Sequence, residues 1–79
     1  MAVYTDILKE LRRDKGISQK EMGKLFGISQ NYYSYYETGR RPMKIEMLIR
    51  LAEILETSTD YILGLTDEQK PYPRRKKLL

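Results

Sequence analysis

Residues 29–41, SQNYYSYYETGRR, hold the densest group of chemically capable side chains in this sequence. Four of its seven tyrosines, Tyr32, Tyr33, Tyr35 and Tyr36, fall within five positions. Two amides, Gln30 and Asn31, precede them, and Glu37, Gly39, Arg40 and Arg41 follow. Amides donate and accept hydrogen bonds, tyrosines stack and donate, and arginines pair with anions. These groups recognise partners more readily than they break bonds. The chain has no histidine and no cysteine. That removes the commonest general base, the commonest metal ligand and any disulfide. An enzyme would have to work with carboxylates, lysines or tyrosines alone. A binding protein is therefore expected, with no catalytic residues, metal or cofactor.

The elements that position this stretch are short. A chain of 79 residues allows one domain, and a body that small has a marginal core. No apolar run approaches the roughly 18–20 residues of a membrane span. The start, MAVYTDILKE, lacks the basic-then-apolar order of a signal peptide. No membrane association and a cytoplasmic location are expected. The net charge of +4 is uneven. Of 15 basic residues, Lys70, Arg74, Arg75, Lys76 and Lys77 crowd into residues 70–79, leaving ten against all 11 acids, or −1, in residues 1–69. Any polyanion site on the body must come from local clustering.

Helical periodicity recurs and strand-like alternation does not persist. Val3, Ile7, Leu8 and Leu11 share one helical face, with Asp6 early and Arg12, Arg13 and Lys15 late, as the helix dipole favours. Gly16 is a natural stop. Ser18 and Glu21 form a capping-box pattern that starts a second helix, whose apolar residues are Met22, Leu25 and Phe26. Gly27 ends it. Ser29 is placed to cap a third helix running to about Thr38, and TGRRP ends that one. Residues 44–55 carry Ile45, Leu48, Leu51, Ala52 and Leu55 as an amphipathic face. Ser58 or Thr59 opens a last short helix that Gly64 stops. KPYPRRKKLL reads as an irregular basic tail. The outline is all-α, five short helices, with a helix-turn-helix at about residues 18–38.

In this order and spacing, LRRDKGISQ at 11–19, GIS at 27–29, YETGRR at 36–41 and LAEILETSTDYILGLTD at 51–67 resemble the Cro/CI-type, or XRE, helix-turn-helix family. The likeness covers roughly residues 3–65. It implies a lambda-repressor-like DNA-binding domain over residues 1–68, followed by a flexible basic tail at 69–79. It implies a homodimer that binds double-stranded operator DNA and regulates transcription. Two residues depart from the family pattern. Gly23 stands where alanine is usual, and Tyr33 where an aliphatic residue is usual.

On a helical wheel Tyr33 and Tyr36 lie about 60° apart. Asn31, Ser34 and Tyr35 lie opposite, with Gln30 and Tyr32 at the edges. The resemblance makes Tyr33 and Tyr36 the buried pair. It makes Gln30, Asn31 and Tyr35 readers of base edges, flanked by Ser34 and Tyr32. Ser18, Gln19, Thr38, Arg40 and Arg41 are then the phosphate contacts. It also pairs Arg12 with Glu37 as a structural bridge. Two other readings stay open. One is an antitoxin or similar protein-binding partner whose DNA binding is secondary. The other, from the tyrosine-plus-basic composition, is stacking on single-stranded RNA. The tail run is either solvated or an arm on phosphates, and Leu63, Leu65, Leu78 and Leu79 are candidates for a dimer contact.

Overall fold

Five helices follow one another through residues 3–73, which the computed structural model describes, with no strand among those residues. They are α1 (Val3–Asp14), α2 (Gln19–Phe26), α3 (Gln30–Glu37), α4 (Ile45–Ile54) and α5 (Thr59–Ile62). The roles expected of Arg74, Arg75, Lys76, Lys77, Leu78, Leu79 and the Val3 side chain fall outside the described residues. No helix described is long and apolar enough to cross a membrane.

The starts of α2, α3 and α5 are set by serines. Ser18 Oγ accepts from the Glu21 amide at 3.0 Å, and the Glu21 carboxylate accepts from the Ser18 amide at 2.9 Å, closing the capping box. Those hydrogen bonds, the backbone one foremost, hold the Glu21 carboxyl below the usual carboxylate range. Ser29 Oγ accepts from the Tyr32 amide at 3.1 Å and Ser58 Oγ from the Tyr61 amide at 3.0 Å. The end of α2 is a Schellman turn. Gly27 sits at φ +70, the Ile28 amide donates to the Gly23 carbonyl at 2.9 Å, and the Gly27 amide donates to Lys24 at 3.1 Å. The same pattern recurs after α4, but there the left-handed residue is Glu56, at φ +54, and the Thr57 amide donates to Ala52 at 2.9 Å. Nothing in its residue type announces that turn.

The core gathers Leu8 and Leu11 from α1, Met22 from α2, Tyr33 from α3, Met47, Leu51 and Ala52 from α4, with Leu55 and Ile62. Two apolar residues expected on buried faces are not there. Leu25 is 48% exposed and Ile45 is 75% exposed. The inward face of α2 runs through Met22, Gly23 and Phe26, and Leu25 falls off its edge. In α4 the buried line is Met47, Leu51, Leu55, spaced by four. Ile45 lies about 120° from Leu51 around that axis, so it points past the core, and Met47 takes the place it was expected to fill.

α2 and α3 make the most extensive helix pair, and α1 touches both α3 and α5. Gly23 lets the turn close. A Cβ placed there would lie 2.8 Å from the Ile28 carbonyl oxygen and 3.2 Å from the Ser29 carbonyl carbon and oxygen. All three are backbone atoms that cannot swing aside. Gly23→Ala is therefore expected to lower stability, although alanine is the better helix former by about 0.8–1 kcal/mol. Chemical denaturation measures this, and an equal or higher midpoint would show that the turn opens freely.

The first residues of the tail are held against the body. Thr57 Oγ1 donates to the Gln69 carbonyl at 2.6 Å, and the Tyr72 hydroxyl donates to Asp60 at 3.0 Å.

Candidate nucleic-acid interface

α3 presents two unlike faces. Tyr33 is 1% exposed and Glu37 is also buried, while Tyr36 is half-buried and packs on the core. Tyr33 stacks on Phe26 of α2, ring centres 6.4 Å apart. On the other side Gln30, Asn31 and Tyr32 are exposed, and Ser34 and Tyr35 are half-buried. Tyr33 is buried and Tyr32 exposed as the wheel predicts, but Tyr36 and Tyr35 are both half-buried, so the two faces are divided less sharply than the wheel implies. The two amides stand exposed at the capped N-terminal turn of α3.

A buried ion pair fixes the inner face. Arg12 Nε donates to Glu37 Oε2 at 2.8 Å and Arg12 Nη2 to Oε1 at 3.0 Å, a two-pronged contact from α1 to the end of α3. Arg12 Nη1 donates to the Ile17 carbonyl at 2.7 Å. Gln19 Nε2 adds a third bond to Glu37 Oε1, at 3.2 Å. Burial alone would raise the Glu37 pKa, but the hydrogen bonds from Arg12 and Gln19, with the Tyr33 hydroxyl nearby, outweigh it and hold the carboxyl below its ordinary value. The same pair raises the Arg12 pKa further, chiefly through its hydrogen bond to Glu37. The Tyr33 hydroxyl is buried without a hydrogen bond of ordinary geometry. Burial first, and then the neighbouring Glu37 carboxylate, keep it protonated.

The resemblance makes Gln19 a phosphate contact, but its amide nitrogen faces inward to Glu37 and the residue is half-buried. What α2 turns outward at that end is the Ser18 cap and the first backbone amides. The Thr38 hydroxyl donates to the Ser34 carbonyl at 2.7 Å, so its proton is already engaged.

The arginines after α3 are not loose. Gly39, at φ +81, turns the chain back, and the Arg41 amide donates to the Tyr35 carbonyl at 3.1 Å. Arg40 then lies over the Tyr35 ring, 5.2 Å from its centre, and Arg41 over the Tyr32 ring at 4.7 Å. Tyr32 and Tyr35 meet edge to face, 6.2 Å apart at 77°. These contacts were not foreseen. They span five and nine residues, and they depend on a turn whose one sequence signal is Gly39. Across the domain Arg50 covers the Phe26 ring at 4.9 Å and donates to the Leu25 carbonyl at 3.2 Å, fastening α4 to the end of α2.

A capped α2, a glycine-hinged turn and an α3 with one locked and one polar face make a helix-turn-helix. Among known families, the one described as Helix-turn-helix matches residues 8–62. The chain belongs to the XRE helix-turn-helix family. Its XRE relatives include the uncharacterized HTH-type transcriptional regulator YobD of Bacillus subtilis (strain 168), 33% identical over 96% of this chain and 68% of that protein. The uncharacterized HTH-type transcriptional regulator YqaE of the same organism is 33% identical over 98% of this chain and 67% of its own length. The HTH-type transcriptional regulator AnsR, also of Bacillus subtilis, is 34% identical over 92% of this chain and 63% of itself. The chain thus spans about two thirds of these XRE relatives. No solved structure matches it.

Proposed function

We propose that this chain regulates transcription by binding a pseudo-palindromic, double-stranded operator as a homodimer, most simply as a repressor or autoregulator. The observation that carries this reading is the pair Gln30 and Asn31. Both amides are exposed at the capped start of α3 while its opposite face is tied to α1 by the Arg12–Glu37 bridge and to α2 by the Gln19–Glu37 hydrogen bond. An amide placed there matches the donor–acceptor pair that adenine shows in the major groove. Tyr35, with Ser34 and Tyr32 beside it, completes the reading face. Ser18 and the first turn of α2, with Arg40 and Arg41, face the phosphates. The basic run from Lys70 adds attraction without sequence preference.

Selection from random duplexes is expected to return an inverted repeat with half-sites about 10 bp apart. Gln30→Ala and Asn31→Ala should each relax preference at particular base positions, at about 1–3 kcal/mol. Recovery of single strands, or of duplexes without a repeat, would overturn the dimeric operator reading. Uniform loss across all sequences on Asn31→Ala would remove that residue from the base readers.

A further inference from the structure

Two exposed arginines follow α3, and each lies on a tyrosine ring of the face that carries the reading residues. The inference here rests on the DNA-binding reading above and deepens it. We propose that Tyr35 and Tyr32 are positioning residues for Arg40 and Arg41, holding both guanidiniums ready for phosphate.

An exposed arginine has many rotamers, and a phosphate contact must freeze them. A ring under the guanidinium removes much of that freedom beforehand, and it engages the flat face while leaving the N–H edge for an anion. Here the restraint is double. The Arg41 amide is bonded to the Tyr35 carbonyl at 3.1 Å, so the backbone after Gly39 is tied to the helix that bears the rings. The two rings also brace each other edge to face. Arg41 Nη2 lies 3.5 Å from the Tyr32 hydroxyl, at the limit of a hydrogen bond. Among the described residues neither arginine is paired with a carboxylate, so both charges remain available. Tyr35, Arg40 and Arg41 line an open recess of about 390 Å³, large enough to admit a phosphate group. Glu37, the acid nearest in sequence, is turned away into its bridge with Arg12.

A tyrosine carries no charge at neutral pH, so a ring that only reads bases has no effect on counterion release. A ring that positions an arginine does. On the selected duplex, affinity is measured across a series of KCl concentrations. Tyr35→Ala is expected to weaken binding about two- to fivefold, the range of an exposed cation–π contact. It should also reduce the slope of log affinity against log salt by about 0.9, one phosphate contact, although no charge is removed. Tyr35→Phe keeps the ring and should keep the slope. Arg40→Lys keeps the charge without the planar stack and should behave as Tyr35→Ala does. In the Tyr35→Ala background, Arg40→Ala should add less than about twofold, since coupled residues are not additive. Tyr32 and Arg41 should repeat the pattern.

Weaker binding with an unaltered slope on Tyr35→Ala overturns the proposal and leaves the ring as a base reader. Full retention of affinity and slope by Arg40→Lys overturns it as well. A wild-type protein that binds no duplex would instead overturn the DNA-binding reading itself.

Discussion

Glu37→Ala is expected to destabilise the fold by about 3–5 kcal/mol, because it leaves the Arg12 guanidinium buried without a counter-charge. For a domain of this size each kcal/mol shifts the melting temperature by about 4–8 °C, so the loss should reach about 12 °C or more. Arg12 and Glu37 are 8% and 1% exposed, which is why the exposed-pair figure does not apply. The double variant Arg12→Met, Glu37→Leu should recover much of the lost stability, since buried pairs replaced by apolar residues of similar volume are often neutral. The pair then serves the orientation of α3 more than net stability. Acid should have a related effect. The folded pKa of Glu37 lies below its unfolded value. Its contribution is therefore complete above an unfolded pKa of about 4.3 and fades as pH falls through the folded one. The Glu37→Ala protein should lack that component of acid sensitivity. A melting temperature unchanged by Glu37→Ala would show the bridge to be energetically idle.

Leu51→Ala is expected to cost about 2–5 kcal/mol, whereas Ile45→Ala should stay within about 0.5 kcal/mol. Leu51 has no exposed surface and lies on the buried line of α4, while Ile45, on the same helix, is 75% exposed. Urea denaturation of the two variants is the measurement. Equal losses would mean that Ile45 is covered in solution, by a second copy or another surface.

That contrast also shows what the amino acids disclose and what they withhold. Ser18 with Glu21, and the lone caps Ser29 and Ser58, act within three residues, so local chemistry decides them. The helices were legible for the same reason. The edge of the buried arc of α4 was not. Leu51, Ala52 and Leu55 are buried as their spacing predicts, and a stripe through them extends equally well to Ile45 or to Met47. Only the other helices choose between them. Leu25 failed in the same way, because Phe26 and Gly23 define the inward face of α2. Arg12 and Glu37 are 25 residues apart, and nothing in their spacing pairs them; family resemblance did. The turn of Gln19 toward Glu37, and the seats of Arg40 and Arg41 on tyrosine rings, depend on side-chain directions that a linear pattern does not carry. The left-handed Glu56 is likewise silent in sequence, since glycine or asparagine is the usual signal there.

Ser29 at one end of α3 and the Glu37 carboxylate at the other have a joint effect on motion. A free helix of eight residues melts in water almost as soon as it forms. In this domain both termini of α3 are clamped, one by a hydroxyl on its first turn and one by a carboxylate held by α1 and α2. Local fraying is opposed at each end, by a hydroxyl cap and by a buried carboxylate. The short helix that would meet a partner is thus ordered beforehand by contacts at both of its ends. Its entropy is given up once, during folding, and not again at each encounter.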